Sequence, residues 1–369
     1  MWLDDLRPFR PAAADTLPCA TEEAYRAFGL ASGTVCDTVP ASLPFGRLRL
    51  FSRQHARDGV APARNVLVVA PIAGGFPFLM RDLVAALLPA GGRVGITEWP
   101  NARYLPLGAG SFGFAENCLE TAQMARALAV TGPVHIVGVC QGALPAFAAA
   151  CLLAEEGLPV ASLGLVGGPM DPARNPTRLW KMLQERSLEA LEAQVMEEVP
   201  QGLPGAGRCV FPAWRQIDTF ALYLWRQSIT GGELPMRLLF DDGDDPLRFP
   251  LSRLCWTMMD VPAEFFMENV STIFRDNALA HGTLEIAGHR VRAEALRGAL
   301  LTVEGTDDDI SAPGQTEAAH DLCRAVPDAL RRHVSVAGAG HFGLFYGRRM
   351  RATVVPALIE VMEAGERAL

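Results

Sequence analysis

A cysteine between two glycines offers the clearest chemistry in the chain. Residues 138–142 read GVCQG, follow an apolar run and open a second apolar run of helical length. A sharp turn from a strand into a helix presents the residue at its tip to a substrate. Such a turn needs glycine on both sides, because larger residues would collide with the neighbouring backbone. The G-x-C-x-G pattern therefore predicts a nucleophile elbow at Cys140. The alternative is a buried cysteine in a tight turn, a common position for this residue type.

Two later loops carry the groups that would activate a cysteine nucleophile. Apolar runs over 299–304 and 333–337 lead, respectively, into three consecutive aspartates at 307–309 and into His341, which stands between glycines. The predicted catalytic order is Cys140, Asp308 and His341, although the residue types alone leave the choice among the three aspartates open. Asp307 and Asp309 suit solvated or turn-capping positions. The other histidines have weaker settings: His55, His135, His281, His289, His320 and His333.

A cysteine, a histidine and a carboxylate in this arrangement suit acyl transfer. A free thiol has a pKa of about 8.5, and both a bonded imidazole and a helix N-terminus increase the thiolate fraction. His341 would protonate the leaving alkoxide and then activate the acyl acceptor, while the aspartate would hold the imidazole tautomer. We expect the backbone N–H groups of Gln141 and Ala73 to form the oxyanion hole. No metal is expected, because no two histidines or cysteines stand at ligand spacing.

The elements that must position these residues alternate between short apolar strands and amphipathic helices. The strand patterns cover 65–71, 93–99, 134–139, 161–166, 299–304 and 333–337, and the helix patterns cover 78–88, 115–130, 143–154, 314–325 and 350–366. This alternation predicts an α/β-hydrolase fold with a mostly parallel, doubly wound sheet. Residues 45–52 alternate in polarity, which predicts one early antiparallel strand.

Four segments are predicted along the chain. Residues 1–64 form an N-terminal arm with the early strand, and residues 65–170 form the first part of the hydrolase core. The strand–helix rhythm stops over 171–292, where aromatic residues follow long helical patterns, so we expect an inserted helical cap. Residues 293–369 complete the core.

Composition and charge restrict the functional class. Half of the 369 residues are apolar, and the net charge of −8 leaves no basic surplus to neutralise nucleic-acid phosphates or an anionic membrane. Eight cysteines without a CxxC pair indicate a reducing compartment. The N-terminus lacks the pattern of a secretory signal, and apolar runs such as 143–154 are too short to span a bilayer. We expect a cytoplasmic protein.

From about Val66 to the C-terminus, the chain resembles the intracellular polyhydroxyalkanoate (polyhydroxybutyrate) depolymerases. The stretches that carry the resemblance are 167–171, 174–177, 260–266, 301–322, 340–343 and 347–349, with Trp99, Ala102, Arg103 and Pro106 after the second core strand. The most specific is 301–322, LTVEGTDDDISAPGQTEAAHDL. The resemblance implies cleavage of polyester ester bonds and places the family's cysteine, aspartate and histidine on Cys140, Asp308 and His341.

The chain departs from the family pattern at two positions beside the expected reaction centre. The family usually has Cys-Gln-Pro at the elbow, where this chain has Gly142 after Gln141. It usually has Ser-Gly-His after the first core strand, where this chain has AGG at 73–75. Both departures leave the catalytic residues intact, and they bear on the length and branch size of the accepted substrate.

These observations together predict a depolymerase that cleaves poly(3-hydroxyalkanoate) through an acyl-cysteine intermediate. The partner would be a polymer granule, with which the enzyme could associate, or an oligomer. We expect Gly74, Trp99 and Phe342 to contact the substrate. No cofactor is expected, and either water or coenzyme A is the acyl acceptor.

Three other functions compete with this one. A synthase-like acyltransferase would extend the polymer, since the G-x-C-x-G form is similar to that of polyhydroxyalkanoate synthases. A cysteine esterase for small esters or lactones, similar to dienelactone hydrolases, fits less well with the long cap. A non-catalytic granule-binding protein would use apolar cap residues to contact the polymer, namely Trp180, Trp214, Trp225, Trp256 and Phe265. Such residues more often form a cap core and a pocket wall, and the complete set of catalytic residue types favours an enzyme.

Overall fold

A computed structural model describes residues 35–53, 64–72, 80–218 and 258–369. Most of the predicted N-terminal arm lies outside these ranges. So do Ala73 and Gly74, which were predicted at the oxyanion hole and the substrate site, and the cap residues Trp225 and Trp256.

An eight-stranded sheet lies at the centre of the described chain. Its strands are β1 Val35–Ser42, β2 Arg47–Arg53, β3 Arg64–Val69, β4 Gly92–Glu98, β5 Val134–Val139, β6 Val160–Val166, β12 Ala299–Gly305 and β13 Arg331–Val336. They lie in the order β1-β2-β4-β3-β5-β6-β12-β13. The six strands from β4 to β13 are parallel, whereas β1 and β2 are antiparallel additions at one edge. The order reverses between β3 and β5. Doubly wound sheets bind their ligands at the carboxyl ends of the strands beside such a reversal.

The sheet separates two apolar cores. Along β3, Leu67 and Val69 face one core and Val66 and Val68 face the other, because successive side chains of a strand point to opposite faces. Burial on both faces explains why the core strands are continuous apolar runs in the sequence. The sheet with helices on both faces confirms the predicted α/β-hydrolase class.

The α-helices of the described residues are 3 to 16 residues long. They are α1 Arg81–Gly91, α2 Phe114–Ala129, α3 Ala143–Glu155, α4 Arg178–Gln184, α5 Leu188–Val195, α6 Ala263–Asn269, α7 Ala319–Leu322, α8 Gly347–Arg349 and α9 Val355–Ala368. Helices α2 and α3 cover one core, and α1 and α9 cover the other. Of the helices in the described residues, none has the length and apolar character needed to cross a membrane.

Two differences from the sequence prediction occur in the core. The strand β1 was not predicted, and it pairs antiparallel with β2 at the sheet edge. The helix predicted over 314–325 is reduced to the four residues of α7, preceded by turns. Gly314 has a φ of +96°, and the carboxylate of Glu304 binds the backbone N–H groups of Gly314, Thr316 and Glu317. A tertiary contact therefore replaces the helical hydrogen bonds that the local pattern favoured.

The described part of the segment between β6 and β12 contains strands as well as helices. The strands β7 Glu197–Glu198, β8 Cys209–Phe211 and β9 Val261–Pro262 form a small antiparallel sheet, and β10 Glu285–Ile286 pairs with β11 His289–Arg290. The segment predicted as a helical cap therefore contains short strands beside its helices in the described residues. Short strands of two or three residues lack the alternation from which strands are recognised.

This segment is tied to the core at Asp260. Arg103, in the loop after β4, donates two hydrogen bonds to the Asp260 carboxylate, at 2.8 and 2.9 Å. The Ala213 N–H also donates to this carboxylate, at 2.8 Å. Asp260, just before β9, therefore joins a core loop to the residues that follow β8.

Candidate active site

Cys140 occupies the tip of a strand–turn–helix element. It follows β5 directly and begins the helical turn Cys140–Gly142, after which α3 starts at Ala143. Its φ is +54°, in the left-handed region that residues with side chains rarely adopt. Non-glycine residues are held in this region where the surrounding structure enforces it, which is frequent at active sites.

The two glycines of the elbow are required by close packing. A Cβ atom at Gly138 would lie 2.6 Å from the Cα atom of Ala143, and one at Gly142 would lie 2.3 Å from the Val69 carbonyl oxygen. The second contact brings the elbow against the end of β3, from which the chain leads towards Ala73. The spacing of glycines that indicated an elbow in the sequence thus has a direct steric cause.

Cys140, His341 and Asp308 lie in contact in that order. The Nε2 atom of His341 is 3.0 Å from the Cys140 sulfur, and its Nδ1 atom is 2.8 Å from Asp308 Oδ2. His341 and Asp308 are 2 % and 3 % exposed, whereas Cys140 is half-buried. The structure therefore brings together the three residues that the sequence singled out.

The backbone selects Asp308 among the three consecutive aspartates. Asp308 Oδ1 accepts hydrogen bonds from the N–H groups of Ile310 and Ser311, both at 2.9 Å, so that Oδ2 faces the histidine. Asp307 and Asp309 are exposed, and Asp307 accepts a hydrogen bond from the neighbouring Thr306 hydroxyl at 2.9 Å.

The surroundings of His341 favour its protonated form. Burial by itself would lower the pKa of His341, but the charges of Cys140 and Asp308 and the hydrogen bonds to both outweigh burial and raise the pKa to about 10. An imidazole with this pKa carries a proton at neutral pH. A protonated imidazole in contact with a cysteine sulfur stabilises the thiolate, which is the nucleophilic form.

Two aromatic rings hold the imidazole of His341 in place. Phe342 and Phe345 meet it edge-on, with ring centroids 5.6 and 5.3 Å away. Phe345 is fully buried and Phe342 is half-buried. Phe342 therefore lies beside the reaction centre, while its contact with substrate stays a prediction.

Trp99, a predicted substrate contact, has a structural role in the described fold, and its contact with substrate stays a prediction. Its side chain is 3 % exposed, and its indole N–H donates to the backbone carbonyl of Ala70 at 3.1 Å. The N–H of Ala70 in turn donates to the Thr97 hydroxyl at 3.0 Å. Because both polar groups of Ala70 are held by residues at the end of β4, Trp99 is an anchor for the end of β3.

The described part of the predicted oxyanion hole is Gln141. It follows Cys140 in the helical turn that leads into α3, and backbone N–H groups at a helix start point towards developing negative charge. Ala73 and Gly74 lie beyond the described end of the segment that follows β3.

Three histidines outside the site, on β5, α7 and β13, have structural partners. His135 Nδ1 lies 2.9 Å from the Ser162 hydroxyl, and burial lowers the pKa of His135 to about 4. His320 and His333 both bond the hydroxyl of Thr302, at 2.9 Å. These roles agree with their exclusion as catalytic candidates.

One group of side chains in the described residues has the composition of a metal site. Potential ligand atoms of Glu304, Glu317 and His333 lie within 4.8 Å of one another. The oxygens of Glu304, however, accept backbone N–H groups at 2.6, 2.8 and 2.7 Å from Thr316, Glu317 and Gly314. These bonds account for the buried carboxylate as a loop anchor without a metal.

Comparison with solved structures finds esterases and lipases at low sequence identity. Carboxyl esterase 2 of the mycorrhizal fungus Tuber melanosporum is 13 % identical, with a TM-score of 0.49 over 92 % of this chain and 87 % of that chain. A soluble variant of the monoglyceride lipase of Saccharomyces cerevisiae is 11 % identical, with a TM-score of 0.49 over 89 % and 96 %. A bacterial heroin esterase is 13 % identical, with a TM-score of 0.47 over 98 % and 96 %. Comparison with curated proteins finds no match.

A family model described as the PHB de-polymerase C-terminus matches residues 167–366. The matched region begins at the end of β6 and contains Asp308 and His341, while Cys140 precedes it. Because the match covers more than half of the sequence, the chain belongs to the PHB depolymerase family and is a carboxylic ester hydrolase.

Proposed function

We propose that Cys140 is the nucleophile of this hydrolase and that the enzyme cleaves poly(3-hydroxyalkanoate), or oligomers of it, through an acyl-cysteine intermediate. The observation that carries the proposal is the 3.0 Å contact between His341 Nε2 and the Cys140 sulfur. The sulfur belongs to a half-buried residue at the tip of an elbow, where a substrate can reach it. The other cysteines of α2 and α3, Cys118 and Cys151, are fully buried.

The first chemical step is acylation. The Cys140 thiolate attacks the ester carbonyl carbon, and the electron pair of the C=O bond moves to the oxygen. Collapse of the tetrahedral intermediate restores the carbonyl and breaks the bond to the alkoxide, which takes the proton from His341 Nε2. The Gln141 N–H and the Ala73 N–H are the proposed donors to the oxyanion. Each such donor typically contributes about 3 kcal/mol of transition-state stabilisation.

The second step is deacylation. The neutral His341 takes a proton from the acceptor, which attacks the thioester carbonyl, and collapse expels the Cys140 thiolate. Asp308 stabilises the imidazolium that this proton transfer re-forms. With water as the acceptor the product is a 3-hydroxy acid or an acid-ended oligomer. With coenzyme A the product is the corresponding thioester, because one thiol then replaces another.

The family assignment and the composition support the proposed substrate class and cellular location. The family assignment supports a polyester substrate, and the net charge of −8 argues against nucleic acid or an anionic membrane as the partner. A cytoplasmic location at a polymer granule is the setting that we propose for this activity.

The direct test combines turnover with trapping of the intermediate. Wild-type protein is incubated with 3-hydroxybutyrate oligomers and amorphous polymer, with and without coenzyme A, and the products are separated by chromatography. We expect Cys140→Ala and Cys140→Ser to lower kcat by at least about a thousandfold. Mass spectrometry of acid-quenched protein should find the acyl group on the peptide that contains Cys140.

Each outcome has a defined meaning. Acylation of Cys140 with release of short acids or thioesters supports depolymerisation. Turnover by Cys140→Ala at the wild-type rate would remove the proposal. Polymer growth from 3-hydroxyacyl-CoA, with release of free coenzyme A, would indicate the synthase-like alternative instead.

A further inference from the structure

The backbone of Gly167 and Gly168 lies between His341 and the elbow that carries Cys140. Gly167 has a φ of +60°, and a Cβ atom there would lie 3.4 Å from Cε1 of the His341 ring. A Cβ atom at Gly168 would lie 2.3 Å from the Cβ atom of Ala143 and 3.4 Å from the Cys140 carbonyl oxygen. These two residues, which follow β6, thus touch the histidine on one side and the elbow on the other.

The position of this backbone is held by Thr316. The Thr316 hydroxyl donates to the Gly168 carbonyl oxygen at 2.9 Å, and the side chain of Thr316 is fully buried. The Gly167 N–H donates to the Val303 carbonyl oxygen at 2.9 Å, so the segment is also tied to β12. The side-chain bond from Thr316 and the backbone bond to β12 fix the peptide groups on the two sides of the Gly167–Gly168 pair.

Thr316 is itself placed by a buried carboxylate. Glu304 is 2 % exposed, and its Oε1 atom accepts the N–H of Thr316 at 2.6 Å. Its other bonds, to Gly314 and Glu317, fix the turns on either side. A buried carboxylate that accepts three N–H groups makes a rigid anchor, because charge-assisted bonds are stronger than neutral ones.

We propose that Thr316, held by Glu304, is a positioning residue that sets the separation between His341 and Cys140. The proposal rests on the proposed role of this pair in catalysis. Gly167 and Gly168 have no side chains, so the histidine and the elbow pack directly against their backbone. A shift of that backbone therefore moves both partners of the 3.0 Å contact relative to each other.

The test removes the hydroxyl and keeps the shape of the residue. Thr316→Val lacks the donor to Gly168, whereas Thr316→Ser keeps it. We expect Thr316→Val to lower kcat by about 10- to 100-fold with little change in KM, because small displacements of reacting groups have effects of this size. Thr316→Ser should stay within about threefold of wild type. Thr316→Ala removes the same hydroxyl and replaces Thr316→Val if the latter does not fold.

A second measurement does not depend on the substrate. The rate of Cys140 alkylation by iodoacetamide is followed against pH, with the modified peptide identified by mass spectrometry. In wild type the contact with His341 should make Cys140 react faster with iodoacetamide than the exposed Cys209 does at the same pH. In Thr316→Val this rate advantage should shrink across the pH range, and in Thr316→Ser it should match wild type.

Thr302→Val is the matched control. Thr302 is also a fully buried threonine, but its hydroxyl bonds His320 and His333 instead of the site backbone. We expect it to leave kcat and the alkylation profile unchanged. If Thr316→Val lowers only the thermal stability, with wild-type kcat and alkylation, the proposal is wrong. If Cys140 of wild type alkylates as a free thiol, the proposed function and this inference fail together.

Discussion

The indole N–H of Trp99 donates to the backbone carbonyl of Ala70, the first residue after β3, at 3.1 Å. The backbone N–H of Ala70 donates to the Thr97 hydroxyl at 3.0 Å. The strand end that leads to the predicted oxyanion turn is thus held from β4 by two side chains. The elbow holds it from the other side, because Gly142 packs against the Val69 carbonyl. The end of β3 and the elbow after β5, which lie where the strand order reverses, are in this way fixed to each other.

Trp99→Phe is expected to lower both stability and kcat. The substitution keeps most of the ring but leaves the buried Ala70 carbonyl without its indole donor, which typically costs about 1 to 3 kcal/mol. Loss of this tether should also lower kcat several-fold. Chemical denaturation and steady-state kinetics measure the two effects. In the described structure the Trp180 indole N–H has no hydrogen-bond partner. Trp180→Phe therefore controls for the change of ring, and equal stability losses in both variants would contradict the role of the Ala70 bond.

Gly142→Ala should lower both stability and kcat, whereas the same substitution at a glycine with free space around it should change neither. The new Cβ atom would lie 2.3 Å from the Val69 carbonyl oxygen, so that β3 or the elbow must move. We expect a loss of about 1 to 3 kcal/mol in unfolding free energy, in the range of overpacking, and a fall in kcat. A Cβ atom at Gly108 would have no neighbouring atom within 4 Å, so Gly108→Ala is the control for the added methyl group. A Gly142→Ala protein with wild-type stability and kcat would show that the elbow has room to relax.

The pH dependence of catalysis should follow the protonation of His341. The imidazolium must donate a proton to the leaving alkoxide, so activity should persist above neutral pH and fall as the pH passes the His341 pKa of about 10. Asp308→Asn removes one of the charges that raise this pKa, which should move the alkaline limb to lower pH. It should also lower kcat by roughly 10²- to 10⁴-fold, as for comparable triads. The profile of kcat against pH measures both effects, and an unmoved alkaline limb would assign it to another group.

The sequence predicts well those features that depend on neighbouring residues. The strand 134–139 has the predicted bounds, and the elbow follows it as the glycine spacing indicated. The pattern of residues 134–142 is sufficient to recognise the strand and its turn, although the glycine at 142 is required by the distant Val69 carbonyl. The contact of Asp308 with His341 also agrees with the sequence, because each residue stands just beyond a parallel strand and the carboxyl ends of such strands meet at one edge.

The sequence misses those features that depend on distant partners. Local periodicity favours a helix over 314–325, but the buried Glu304 carboxylate takes the N–H groups of the first turns. Trp99 was expected at the substrate site because its stretch resembles the family's loop after the second core strand, and the fold uses its indole to anchor Ala70. In both cases polar bonds that form only in the fold decide the role, and no pattern along the chain reveals them.

Two ion pairs of similar geometry should differ in their contribution to stability. The Arg103 and Asp260 side chains are 28 % and 4 % exposed, whereas those of Arg126 and Glu156 are 43 % and 49 % exposed. Arg103→Met leaves the buried Asp260 charge with the Ala213 N–H but without its cation. Removal of one partner of a buried pair costs about 3 to 5 kcal/mol, and exposed pairs contribute about 0 to 1 kcal/mol.

We therefore expect Arg103→Met to reduce the unfolding free energy by several kcal/mol and Arg126→Met to change it little. The contact distances would suggest the opposite order, since the shortest Arg126 contact is 2.5 Å and the shortest Arg103 contact is 2.8 Å. Solvent screening and side-chain entropy outweigh that difference in distance. A double-mutant cycle with Asp260→Asn isolates the coupling energy of the buried pair. A coupling energy no larger than that of Arg126 with Glu156 would show that Asp260 is held by its backbone partners, and that Arg103 does not anchor the segment to the core.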